Sequence, residues 1–323
     1  MSIVTARRIS QVFFVALFFW FCVVSTLGDL PWQLRGWPVN WLLELDPLVG
    51  IATLLSTRTL YAGLLWGLVT VALTLVLGRV FCGWICPFGA MHQFLGWLGR
   101  RRKKLAAQLE ENRFRPAQAI KYYILVFFLT AAILLPGDWL SSASLLTGLL
   151  DPLPLAHRSV NLILLPLSDR AGLGLSPLPR WYEGAWLIGA VFLAALFLNL
   201  RIPRFYCRFV CPLGALLGVL SRFAIWRIGR NEEGCTDCRL CERHCEGACE
   251  PTGRIRISEC VMCLNCLEEC RHDAVTYRTR PSAGGELLLP DLARRGFIVS
   301  AVSGVMAAPV MRLGGVTGPN WNP

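Results

Sequence analysis

Long apolar runs separated by short basic clusters dominate the chain, and one cysteine-rich polar block interrupts them late. Residues 9–28 are uncharged and rich in Phe, Val and Leu. A helix of about 20 such residues matches the hydrocarbon thickness of a bilayer. Residues 59–78, 122–137 and 184–200 predict three more spans, and a weaker fifth run opens at Arg294 and ends near Arg312. The third run is short, and reaching across requires Lys121 to snorkel. Arg7 and Arg8, the run from Arg100 to Lys104, and Arg201, Arg204 and Arg208 lie at one set of span ends. Basic residues collect on the cytoplasmic side, so the N-terminus and these clusters are placed inside. Residues 29–58 and 138–183 then read as external segments, with Trp32, Trp37 and Trp41 suited to the headgroup level.

The membrane part repeats itself. Leu45-Asp46-Pro47-Leu48 recurs as Leu150-Asp151-Pro152-Leu153, and Cys82-x3-Cys86-Pro87-x-Gly89-Ala90 recurs as Cys207-x3-Cys211-Pro212-x-Gly214-Ala215. Both halves start on the same side, so they are parallel repeats about an axis along the membrane normal. Cys82, Cys86, Cys207 and Cys211 would then sit at one depth near the inner surface. They could hold a third metal centre, act as two redox dithiols, or pack at helix ends. Asp46 and Asp151 are placed on the outer side and read as N-caps before a first-turn proline, with proton acceptance from quinol as the alternative.

Composition sharpens the class. The chain has 323 residues, 54% of them hydrophobic and 16% charged, against about 25% charged in a soluble domain. Its net charge of +11 raises nucleic acid as a partner. The cations lie beside apolar runs and no aromatic–basic binding motif accompanies them, so nucleic acid is set aside. His92, His157, His244 and His272 lie outside the apolar spans, which counts against bis-histidine haem. Cys22, alone in the first span, reads as core.

The cysteine block carries the strongest chemistry. Cys235, Cys238, Cys241 and Cys245 follow C-x2-C-x2-C-x3-C, and Cys260, Cys263, Cys266 and Cys270 repeat it 25 residues on. Three thiolates on a tight loop take three corners of a 4Fe–4S cubane, and the fourth cysteine of each run ligates the other cluster. One cluster is therefore expected on Cys235, Cys238, Cys241 and Cys270, and the second on Cys260, Cys263, Cys266 and Cys245. Zinc has no use for this doubled three-plus-one spacing. Proline usually follows the fourth cysteine; Glu246 and Arg271 stand there instead. A ninth cysteine, Cys249, reads as a buried spectator, with a substitute ligand as the alternative.

The paired C-x3-C-P motifs and the double-cubane block resemble the NapH, NosR and CcoG group of membrane polyferredoxins over about residues 1–280. The resemblance implies a bacterial inner membrane location, two 4Fe–4S clusters and electron exchange with the quinone pool. The expected fold is a mainly α, polytopic membrane protein. It has a four-helix core from two parallel repeats, a cytoplasmic bacterial-type double-cluster ferredoxin module and a fifth C-terminal transmembrane helix. Residues 1–116 and 117–230 form the repeats, 231–280 the ferredoxin domain, and 281–323 a linker with that helix or a twin-arginine-like segment at Arg294-Arg295. The tail 318–323 reads as a linker into a longer protein. The expected function is quinol oxidation, with electrons passed to a periplasmic or membrane redox partner; no catalytic acid or base is identified. The alternatives are a CcoG-like copper reductase for enzyme assembly and a redox-sensing regulator.

Overall fold

The computed structural model describes residues 2–26, 41–59, 62–134, 150–164, 166–167, 185–279, 286–288 and 290–314. Trp32, Trp37, most of 138–183 and the tail 318–323 lie outside them. The described helices of eight residues or more are α1 Ile3–Thr26, α2 Pro47–Thr57, α3 Gly67–Leu77, α4 Pro87–Arg100, α5 Ile120–Leu134, α6 Pro152–Ser159, α7 Ala185–Leu198, α8 Pro212–Leu220 and α9 Arg294–Gly314. The described strands are β1 Trp226–Arg230 and β2 Val275–Thr279, so the protein is mainly helical.

Four of these helices begin in the same way. Asp46, Cys86, Asp151 and Cys211 are extended N-cap residues, each followed by proline in the first turn. Proline presets the helical φ and lacks the N–H that a first turn leaves unpaired. The chain therefore alternates a long helix, an Asp-Pro helix, an apolar helix and a Cys-Pro helix, twice over: α1 to α4, then α5 to α8. The segments expected to be external thus contain helices of their own. The Asp-Pro helices also tie the halves together. α2 of the first half packs on α5 of the second, α6 packs on α4, and α8 packs on α3. Equivalent positions build the common core: Leu48 with Leu153, Phe81 with Tyr206, and Phe88 with Leu213, none more than 2% exposed.

Large apolar side chains remain on the outside. Val12, Leu68, Phe197, Ile298 and Val299 are all at least 60% exposed, on α1, α3, α7 and α9. An apolar surface of that extent marks contact with something other than water. Ile3–Val23 and Leu105–Ile133 are long and apolar enough to cross a membrane, while Ala62–Leu77 and Leu187–Leu198 are apolar but shorter. Helix α9 runs parallel to α5. Gly296 lies against the Tyr123 ring and Gly304 against Thr130 and the Phe127 carbonyl, so small residues permit the close approach.

The polar block closes on a two-stranded antiparallel sheet in which Trp226 faces Thr279 and Arg230 faces Val275. Residues 226–230 therefore fold with the cysteine block, although the sequence groups them with the second repeat.

Candidate metal centres

The cysteine block folds as two copies of one loop. Asp237 and Met262 precede the second cysteine of each run, and Arg239 and Leu264 follow it. All four have positive φ, at 50°, 51°, 58° and 57°. Ala248 and Asp273, again 25 residues apart, do the same at 56° and 48°. Side chains other than glycine enter this region at a cost of about 1–2 kcal/mol each. The return is a backbone curled tightly enough for three sulfurs to face one space.

Cys235, Cys238, Cys241 and Cys270 line one small pocket together. Cys270 thus stands with the first run's cysteines, the grouping that an exchanged fourth ligand requires. Cys245, Cys260, Cys263 and Cys266 form the other group. All four are buried, and Cys266 feels Cys263, Cys260 and Cys245 electrostatically. Among the described residues no three His, Cys, Asp or Glu side chains are placed to hold a single ion. Four cysteines in each group is the donor set that a 4Fe–4S cluster takes.

Cys249 is buried, as expected, but it is in contact with expected ligands. Its Sγ is 3.5 Å from Cys245 Sγ, its backbone N–H donates to the same sulfur at 3.4 Å, and its thiol also bonds Cys260. It stands between two expected ligands of one cluster. Its hydrogen bond pulls the Cys245 thiol down from its ordinary value.

Glu246 explains the missing proline after Cys245. It is 2% exposed and pairs with Arg7 at 3.1 Å and Arg204 at 2.7 Å. Burial alone would raise its carboxyl; Arg204, Arg7 and Arg100 outweigh that and hold it at about 2. On the other side of the module, Glu259 pairs with Lys121 and accepts the Tyr122 hydroxyl at 2.8 Å, while Arg79 donates to the Ser258 carbonyl at 2.6 Å. Each acceptor site thus takes one cation from the foot of a long helix (Arg7 or Lys121) and one arginine three residues before a cysteine pair (Arg204 or Arg79). Each arginine comes from the opposite half. The sequence reads these cations as surface charges and lets Lys121 snorkel. They are instead buried, at 1% exposure each, as the dock between membrane part and module.

The dock brings the second cluster loop onto the membrane cysteines. Trp84 Nε1 donates to the Met262 carbonyl at 3.0 Å, and Gly83 touches the Val261 carbonyl so closely that a Cβ would overlap it. Gly78, at φ 78°, lies under the Met262 side chain, 3.2 Å from where its Cβ would be. Cys82, Cys86, Cys207 and Cys211 do come together, each within electrostatic range of others in the set. They do not lie along one face of a regular helix. The Cys86 N–H reaches back to Phe81 O and the Cys211 N–H to Tyr206 O, both at 2.9 Å, a wider π-type bond that recurs at functional sites. Cys86 Sγ accepts the Gly89 N–H at 3.4 Å and Cys211 Sγ that of Gly214 at 3.1 Å. Burial nevertheless pushes both thiols up, and the neighbouring thiols add to it. The quartet therefore suits either neutral dithiols or thiolates around a cationic centre.

Asp46 and Asp151 are not solvent-facing. Both are fully buried at the core ends of α2 and α6, and Asp151 lies within electrostatic range of Cys211 and Tyr206. Asp46 is an N-cap, accepting the Leu48 N–H at 2.9 Å; Asp151 makes no capping bond. Cys22 is buried core, as expected. His92 is buried between the Phe88 and Tyr206 rings, away from the module.

A family model described as a 4Fe-4S binding domain matches residues 59–106 and 183–231, one copy on each half around its C-x3-C-P motif. Among curated proteins, the chain is 27% identical to the putative electron transport protein YccM of Escherichia coli, over 80% of this chain and 68% of that one. It is 28% identical to the ferredoxin-type protein NapH of Escherichia coli, over 87% and 90%. It is 34% identical to the regulatory protein NosR of Pseudomonas aeruginosa over 70% of this chain, though that match spans 27% of NosR. No solved structure matches.

Proposed function

We propose that this chain, a NapH- and NosR-like polyferredoxin of the membrane, oxidises quinol and delivers the electrons to a redox partner protein. One observation carries the reading: the loop Cys260–Cys266 is clamped directly onto the Cys82–Cys86 turn, through Gly83 against Val261 and Trp84 against Met262. That contact seats the module against the turn that carries Cys82 and Cys86, and Cys238 is exposed at the module's surface. Held by the eight module cysteines, 4Fe–4S clusters supply one-electron steps, which suits the division of a quinol's electron pair. The quartet is the intervening centre in this reading. Arg204 ties the two halves by bonding across the repeat to the Cys82 carbonyl at 2.9 Å, while Arg79 bonds the Ser258 carbonyl of the module.

The proposed topology is multi-pass in a bacterial inner membrane, with the module cytoplasmic and α9 crossing outward beside α5. The parallel packing of α9 on α5 supports that direction. The proposed units remain two membrane repeats, the ferredoxin domain and a C-terminal segment, with β1 assigned to the ferredoxin domain.

The test is anaerobic. Purified protein in detergent is assayed for iron and acid-labile sulfide, then mixed with a soluble quinol while cluster absorbance is followed. Two clusters require about eight iron atoms. The reading expects bleaching by quinol, and additional iron that is lost when Cys82, Cys86, Cys207 and Cys211 are changed to Ser. Bleaching by dithionite but not by quinol would reject quinol oxidation. Because NosR relatives are named regulatory, a redox sensor is the second reading; it predicts reduction without sustained turnover to any acceptor.

A further inference from the structure

The cysteine block repeats itself, and the repeat supplies its own control for Cys249. The step of 25 residues that carries Cys245 onto Cys270 carries Cys249 onto Ala274. Both residues are 3% exposed, and each follows a left-handed residue, Ala248 or Asp273. Ala274 lines the pocket formed with Cys235, Cys238, Cys241 and Cys270. The position therefore faces a group of expected ligands, and in the second run a single methyl group fills it. A sulfur at the same place in the first run is not a packing requirement. It adds a fifth thiol to a group from which a 4Fe–4S cluster takes four.

The geometry sets which ligand Cys249 can stand in for. Its Sγ is 3.5 Å from Cys245 Sγ. The backbone is pinned at both residues: Arg208 donates to the Cys245 carbonyl at 3.0 Å and to the Glu246 carbonyl at 2.8 Å, and the Cys249 carbonyl accepts the Arg256 N–H at 2.9 Å. Gly247, between them, lies against the Glu259 carbonyl where a Cβ would overlap. The Cys260 N–H bonds the Arg256 carbonyl at 3.2 Å, which ties the second run to the same frame. On a backbone so fixed, one sulfur reaches the place of the other by side-chain movement alone.

We infer that Cys249 is a reserve ligand of the second cluster, which replaces Cys245 when that ligand leaves the iron. In the exchange one iron–sulfur bond to Cys245 breaks and one to Cys249 forms, and the Cys249 proton passes to the departing sulfur. No electron is gained or lost, so no oxidant or reductant is needed. The inference rests on the assignment of a cluster to Cys245, Cys260, Cys263 and Cys266, and not on quinol as substrate.

The test is the iron content of the full chain, purified anaerobically in detergent, with each variant counted against the wild type. Cys245→Ala should keep the wild-type iron. Cys245→Ala combined with Cys249→Ala should lose one cluster, about four iron atoms. Cys266→Ala should lose about the same number although Cys249 is present. EPR of the dithionite-reduced Cys245→Ala protein should show the second cluster's signal shifted, not absent. Loss of about four iron atoms from Cys245→Ala alone overturns the inference and leaves the cluster assignment standing. Full iron in the double variant also overturns it, because another group then holds that corner. Full iron in Cys266→Ala overturns the cluster assignment and the inference with it. If Cys245→Ala does not fold, Cys245→Ser, nearly the size of the native residue, is compared with and without Cys249→Ala by the same counts.

Discussion

Replacing Glu246 by Ala should undock the module from the membrane part. Glu246 is the shared partner of two guanidinium groups that are each 1% exposed, Arg7 at 3.1 Å and Arg204 at 2.7 Å. Its removal leaves both without a counter-charge where water cannot replace it. Breaking one buried pair in this way costs about 3–5 kcal/mol. The carboxyl itself gives a similar figure. It is held at about 2 against an ordinary 4.5, a gap worth about 3 kcal/mol at neutral pH. A domain of this size holds only about 5–15 kcal/mol in total, so the loss is a large fraction of it. The assay is thermal unfolding of anaerobically purified protein in detergent, with iron counted before the scan and protease release of the cysteine block followed in parallel. We expect a drop of at least 3 kcal/mol and early release of the block, with Glu246→Gln falling in between. A variant within about 1 kcal/mol of the wild type, with its block still resistant, would refute the idea that this carboxylate is the dock. Loss of iron without early release would instead locate the damage in the Cys245 loop.

Other outcomes can be set beside this one. Gly83→Ala drives a Cβ into the Val261 carbonyl and should slow reduction of the clusters by quinol, while chemically reduced spectra stay unchanged. Cys249→Ala removes a hydrogen bond to Cys245, so iron content should hold while the midpoint potential of one cluster falls, and Cys249→Ser, which keeps a donor, should recover most of it. Gly304→Leu cannot seat against Thr130 and Phe127 and should free α9 from α5, read as new protease sensitivity near Arg294 with cluster spectra intact. Lys121→Met strands Glu259 and should destabilise by about 3 kcal/mol, measured by the same thermal scan.

The parts of this protein legible in the sequence are those set by spacing. The 25-residue repeat gives the two loops, the exchange of Cys270 into the first group, and even the paired left-handed positions that make the loops tight. The repeated Asp-Pro and Cys-Pro dipeptides give four helix starts. What hydropathy misreads is charge. Arg79, Lys121 and Arg204 look like cations that hold a helix end at the inner surface, and no local pattern distinguishes that role from burial against an acceptor in the distant cysteine block. The burial of Asp46 and Asp151 is hidden for the same reason, because it comes from contacts that α2 and α6 make with the opposite half. Cys249 had a signal that was present and undervalued: a cysteine four residues after an expected ligand, on a loop already curled around its sulfurs.

The long reach of the dock has a consequence for biosynthesis. Arg7 emerges from the ribosome 239 residues before Glu246 is made; Arg79 precedes its Ser258 acceptor by 179 residues, and Lys121 precedes Glu259 by 138. Through most of translation these cations have no protein partner. They must wait at the lipid headgroups, where anionic phosphates can hold them. Closure then comes late and all at once, when the last cysteine loop arrives and withdraws the cations from the lipid. A nascent chain that stalls before that point leaves a basic, lipid-bound surface exposed to the quality-control machinery of the cell.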